Sequence, residues 1–460
     1  MAYDLVIRNG NVITFEPDQI LRNTNIGILN GIIEEITNQE LEGIRTVDAT
    51  GKYVSPGFID FHSHVNGKPF SANCVLRQGA TTTMGGERNF DGKLIRAIAE
   101  NGFLLNHGFY VSHSFTLRRA VGITDAHRAA TFSEIQDMKT LARQFFKNGA
   151  YGIHFGLEYV PGTSFEELCA LAEIAKQFDG IVLIHMRGDG NKALEHFHEV
   201  EQVAMITEAS IHLLHLTYMI GFKDIMPAAL EIIRTMKEKG CDISADAGLY
   251  AAYPNCIGSS ILEGDWKHRY NNTLKEHREV RVLISSGIHA GEFCTEESFC
   301  FLRENYPSLL VTVFACDEAE ILRVVKEPYV FISSNAADGP HYDNVGHPET
   351  AGTFPRLIRK YVREDGVISL QDAIYKITAG PAKRFKIEGK GNIVKGFDAD
   401  IVIFDFDHIH DCADYPGMGD PNAQPIGVEY VIVNGEVACE RGIIKDGFNN
   451  GKYLKKSFSR

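Results

Sequence analysis

Apolar positions along the chain change their period twice. Residues 1–55 carry short apolar runs broken by tight turns. DLVIRNGNVIT and IGILNGIIEEI each place an Asn-Gly between two β-rich runs, a strong hairpin signal. Residues 386–460 return to this pattern. There ADIVIFDF and EYVIVNGEVACERGIIKDG read as strands, with Asn434-Gly435 at a turn. The two ends therefore predict one small sheet domain built from both.

The middle, residues 56–385, alternates between strand and helix. The expected strands are 58–64, 79–87, 108–115, 150–157, 180–186, 210–216, 241–248 and 329–338. Helical patterns lie between several of them: TFSEIQDMKTLARQFFKNG, SFEELCALAEIAKQFDG and DIMPAALEIIRTMKEKG. Each closes on a glycine, the usual helix stop. Strand–helix alternation means parallel βα units, and eight strands predict a (β/α)8 barrel. Two further β-like runs, VRVLISSG and LLVTVFAC, leave the strand count open by one or two.

Histidine is the residue that alters this picture. The chain has 460 residues and 18 His, with three His-x-His pairs. His196 and His198 lie in a helical stretch, where residues two apart diverge and cannot share an ion. His408 and His410 fall in a loop of the C-terminal β segment. His62 and His64 close an apolar strand. There positions i and i+2 point to one face, at the barrel end where active sites form. Other expected strands also end in metal-type side chains: Glu87, His185, His215 and Asp338. Six such groups on five strand ends predict a metal centre.

Charge and cysteine narrow the function classes. Lys and Arg number 46 against 60 Asp and Glu, a net charge of −14, and no local basic patch offsets it. Nucleic-acid binding is not expected. Nine Cys without CxxC spacing read as free thiols in a reducing compartment. No apolar run reaches 18 residues and no signal peptide is evident, so a cytoplasmic protein without membrane contact is expected.

Longer motifs carry a resemblance. VSPGFIDFHSHV is similar to the opening metal motif of the amidohydrolase superfamily, and GNIVKGFDADIVIFD to its return into a β domain. NGAYGIHFGLEYVPGT, LIHMRGDG, HPETAGTFPR and ITAGPAKRF resemble the N-acyl-D-amino-acid deacylase (D-aminoacylase) branch. The resemblance implies a (β/α)8 barrel over 56–385 and a small β-sandwich from 1–55 and 386–460. It implies one or two divalent ions, zinc above all, with His62 and His64 at one position and His185 and His215 at the other. It assigns Asp338 as ligand and acid/base. Arg187 and Arg356 match positions that hold a substrate carboxylate. His289 and Glu158 are further pocket candidates.

Three positions depart from that branch. Glu87 stands where the branch has a ligating Cys, a change from soft to hard donor that still permits bridging. Thr217 replaces a Lys after the sixth strand. Tyr250 or Tyr253 takes the place of a Tyr-Pro-Tyr motif after the seventh. No Lys stands in GIHFGLEY, so a carboxylated-lysine bridge is absent. The implied reaction is hydrolysis of a linear amide in a small N-acyl-amino acid, most simply the D form, by a possible homo-oligomer. A cyclic-amide hydrolase, a β-aspartyl dipeptidase and a ring deaminase are the alternatives.

Overall fold

The computed structural model describes residues 2–65, 69–85, 92–222, 224–267, 280–336 and 345–457. Eight parallel strands form the centre. In chain order they are Phe58–Asp60, Ala80–Gly85, Asn106–Phe109 continued by Val111–Ser112, Gly152–Gly156, Ile181–His185, Ser210–Leu213, Ile243–Ala247 and Val330–Ile332. Each pairs with the next: Asp60 lies opposite Thr83, Met84 opposite Gly108, Ile153 opposite Val111 and Phe155 opposite Ile184. Leu183 then faces His212, His212 faces Ser244, and Asp246 faces Phe331. The ring closes through the backbone. Asn335 N–H donates to the His62 carbonyl at 3.0 Å, and His64 N–H to the Ala336 carbonyl at 3.0 Å. This is a (β/α)8 barrel.

The outer helices follow from local sequence. Phe132–Lys147 opens on a capping box, with the Thr131 side chain and Glu134 satisfying each other's backbone N–H groups. Ser164 caps Phe165–Gln177, and Pro227 sits in the first turn of Met226–Glu238. Their inner faces bury Met138, Phe146, Leu168, Leu171, Leu230 and Ile233 against the barrel.

The open strand count resolves into a separate layer. VRVLISSG and LLVTVFAC do not join the barrel. Arg281–Ile284 and Ala252–Cys256 flank Leu310–Phe314 in a three-stranded antiparallel sheet, inserted between the seventh and eighth barrel strands. Ile257, Trp266, Val282, Phe299 and Val311 give it a core of its own.

The chain ends meet in a nine-stranded sheet, where Tyr53–Pro56 pairs antiparallel with Ile401–Phe404. Ile7, Ile26, Ile28, Val54, Ile401 and Ile432 fill its core. Of the three Asn-Gly pairs read as turns, Asn30-Gly31 and Asn434-Gly435 turn hairpins as expected, all four residues at positive φ. Asn9-Gly10 does not. It is a bulge inside the single strand Tyr3–Phe15. Gly10 packs so tightly on Val54 that a Cβ would stand 2.4 Å from it, and Asn25 Oδ1 accepts from Asn9 N–H at 2.9 Å. These contacts hold the strand on course through the kink. Among the described residues no helix is long and apolar enough to cross a membrane.

Candidate metal centre

His62 and His64 stand just beyond the first barrel strand, His185 ends the fifth, and His215 lies two residues past the sixth. The barrel brings the four together. The ring centroids of His62 and His215 are 5.3 Å apart, those of His185 and His215 4.7 Å, and those of His62 and His64 5.8 Å. His185 Nδ1 and His215 Nε2 are 3.1 Å apart. Two nitrogens bound tetrahedrally to one zinc at its usual bond length would stand roughly 3.3 Å apart, so this pair fits a shared ion. The donor set, imidazole nitrogen near carboxylate oxygen, suits zinc and similar divalent ions. Among the described residues no three such side chains already converge as a complete ligand set.

Asp246, near the end of the seventh strand, orients the group. Its Oδ2 accepts from His62 Nδ1 at 2.7 Å and from Ser333 Oγ at 2.5 Å, and its Oδ1 accepts from the backbone N–H of His215. Burial alone would raise the Asp246 pKa. The His62 ring and its hydrogen bond outweigh that and hold the carboxyl well below its usual range. An ionised carboxylate only accepts, so His62 carries its proton on Nδ1 and keeps Nε2 as a donor atom for metal. Asp60 below it accepts from both the backbone and the hydroxyl of Ser334, and burial raises its pKa to about 6. His215 sits at φ 33° and Asn335 at φ 48°, left-handed backbone that is uncommon for a non-glycine residue.

A pocket of about 180 Å³ opens over these rings. Its polar side is His64, His154, Glu158, His185, Asp189, His215 and Asn335. Its apolar side includes Phe115, Met219, Pro254, Ile261 and Leu310, the last three from the inserted layer. Asn335 Oδ1 faces His64 Nε2 at 3.2 Å, while its amide nitrogen donates to Glu349 Oε1 at 3.3 Å. Tyr218 OH donates to Glu349 Oε2 at 2.5 Å. Burial drives the Glu349 pKa well above the usual carboxylate value.

The remaining expected residues lie elsewhere. Glu87 and Asp338 fall outside the described residues. The eighth strand ends at Ile332, and the described residue of that segment facing His64 is Asn335. Arg187 is held by both oxygens of Glu199, at 3.0 and 2.7 Å, and by the carbonyls of Pro161 and Thr163. Arg356 donates to the Leu249 carbonyl, Asp411 and Glu318 and lies 4.6 Å over the Tyr250 ring. Tyr250 is buried, with its hydroxyl on the Pro348 carbonyl at 3.3 Å. His289 is half exposed beside Glu292. None of these four lines the pocket, whereas Tyr253 does. Asp246, Asn335, Tyr218 and Glu349 escaped the sequence reading. Only Asp246 carried a signal, as an acid in the otherwise uncharged run ISADAG at a strand end.

Known proteins resemble this chain in sequence and fold. Residues 337–439 match the model of an amidohydrolase family. The chain is 27% identical to D-aminoacylase of Alcaligenes xylosoxydans xylosoxydans, over 94% of each chain. It is 28% identical to N-acyl-D-glutamate deacylase of the same organism, over 94% of this chain and 93% of that one. A crystal structure of D-aminoacylase matches with a TM-score of 0.86 at 25% identity, covering 99% of this chain and 100% of that one. The chain is thus similar to proteins of the amidohydrolase group over nearly its whole length. Its fold is more similar to that of D-aminoacylase than to that of D-hydantoinase, which matches with a TM-score of 0.64.

Proposed function

We propose that the protein is a metal-dependent amidohydrolase that removes the acyl group from a small N-acyl-amino acid. One observation carries this reading: four histidines from three barrel strands meet, three of them lining the pocket, and two of the four rings are anchored by buried carboxyls. The relatives support it. The names D-aminoacylase, N-acyl-D-glutamate deacylase and N-acyl-D-aspartate deacylase describe deacylation of D-amino-acid derivatives. The D-aminoacylase structures include work on a binuclear metal centre, and an N-acyl-D-glutamate deacylase from Bordetella bronchiseptica was solved with zinc and a phosphonate mimic of the tetrahedral intermediate.

In this reading His62 and His64 would hold one divalent ion and His185 and His215 another, with Glu87 a further ligand and zinc the element. Residues 56–385 are the catalytic barrel, and 1–55 with 386–460 the sandwich. A bound ion supplies Lewis acidity to the amide carbonyl and acidifies water. The chain's own groups do the rest. Asp246 keeps the His62 ring in one tautomer throughout. Asp338 accepts the proton of the attacking water on a carboxylate oxygen and returns it to the leaving nitrogen. The walls around the histidines exclude bulk water and align the amide. Arg187 or Arg356 reaches a substrate carboxylate only by giving up its present partners.

The test is metal analysis followed by a panel of N-acyl-D- and N-acyl-L-amino acids. Metal-loaded protein is expected to release free amino acid from at least one. Asp338→Asn should lose turnover by on the order of 10³-fold with metal content nearly intact. A fully active variant would remove Asp338 from proton transfer.

A further inference from the structure

Glu158 follows the fourth barrel strand within the short turn Leu157–Tyr159. It lines the pocket and is largely buried, and its Oε2 lies 2.9 Å from His185 Nε2. The other nitrogen of that ring, Nδ1, faces His215 Nε2 at 3.1 Å. One imidazole thus stands between a carboxylate and a second imidazole. The same relation recurs at His62, whose Nδ1 is held by Asp246.

We infer that Glu158 is a positioning residue for the metal at His185 and His215: its carboxylate holds the proton of His185 on Nε2 and thereby commits Nδ1 to the ion. The inference rests on the metal-hydrolase reading above and adds a role to it. A carboxylate accepts and cannot donate, so contact with Nε2 places the proton there. Ring nitrogens of metal-bound histidines commonly donate to such an acceptor, which fixes the tautomer and strengthens the ligand. The fourth strand of this chain offers no lysine for carboxylation. Its acidic group instead meets His185 at Nε2, the ring nitrogen turned away from His215. The ring of Tyr159, with its centroid 4.9 Å from that of His185, packs beside the same imidazole and limits its rotation.

The experiment measures metal binding rather than turnover. Full-length protein is stripped of metal and titrated with Zn²⁺ against a chromophoric chelator, then with Co²⁺ while its ligand-field spectrum is followed. Glu158→Ala is expected to weaken one class of site about 10- to 100-fold and shift the cobalt bands, with total capacity at saturation unchanged. Glu158→Gln keeps an oxygen acceptor without the charge and should fall between wild type and Ala. It also carries the test if the Ala variant does not fold. Unchanged affinity and spectrum in the Gln and Ala variants would overturn the inference. So would loss of a whole equivalent of metal at saturation, since Glu158 would then be a ligand itself. Wild-type protein that binds no divalent ion would instead sink the metal-hydrolase reading.

Discussion

His107 is a titratable group the barrel buries far from any proposed chemistry. It lies in the third strand with Nδ1 2.9 Å from Thr83 Oγ1, and burial lowers its pKa from 6.5 to about 4. Between those values the unfolded chain binds more protons than the folded one. Stability therefore falls as pH drops from about 6.5 toward 4, by on the order of 2–3 kcal/mol in total. His107→Gln, which cannot take up that proton, should flatten the curve. Denaturant titrations at pH 6.5 and 4.5 on both proteins measure the difference. An equal acid loss in the two would assign it to other groups.

The same scale explains what could be read in advance. His62, His64, His185 and His215 could be singled out because each stands at or just past the end of an apolar run. Their partners were not. Asp246 is 184 residues from His62, and Asn335 is 271 from His64. No local pattern encodes a contact that only barrel closure creates. Arg187 and Arg356 show the converse: the sequence names a guanidinium, but Glu199 and Asp411 decide where it points.

At the scale of elements, the strand-to-loop corners set the pocket. Gly248 follows the seventh strand, and a Cβ there would stand 2.3 Å from the Tyr218 hydroxyl. The corner is glycine because the sixth-strand loop packs its tyrosine straight onto it. Gly248→Ala should push Tyr218 off Glu349 and disturb the neighbouring His215 loop. The expected cost is about 1–3 kcal/mol in stability, with a larger fractional loss of turnover. Thermal melts read beside kcat separate the two. Wild-type behaviour in both would show that the corner has slack. Barrel strands and outer helices were legible from period and caps, whereas the inserted layer was not assigned. Its runs VRVLISSG and LLVTVFAC have the composition of barrel strands, and only their antiparallel pairing sets them apart.

Across the whole molecule, a buried polar network joins the barrel to the sheet of the chain ends. Lys390 Nζ donates to Asp400 at 2.5 Å and to Asp398 at 2.8 Å. Asp400 also accepts from Asn106 of the third barrel strand, at 3.0 Å. Asn434, at the hairpin turn, donates to Asn106 Oδ1 at 2.8 Å. Burial opposes the Lys390 charge, but the two aspartates outweigh it and raise its pKa. Lys390→Met would strand two carboxyls, one of them fully enclosed, at a cost of roughly 3–5 kcal/mol. Chemical denaturation should show an earlier midpoint, with the terminal sheet loosening first. An unchanged midpoint would mean that water replaces the ammonium at no cost.

The pairing of Tyr53–Pro56 with Ile401–Phe404 has a consequence for how the chain comes off the ribosome. Vectorial synthesis delivers the first half of the terminal sheet hundreds of residues before the second. All eight barrel strands emerge in the interval, each able to dock on its predecessor. The early strands, with Ile7, Ile26 and Val54 uncovered, must wait as a half-finished sheet until Ile401 and Ile432 arrive. Such a waiting edge is where a nascent chain is most exposed to wrong partners, and the window closes only once Ile401 and Ile432 have emerged.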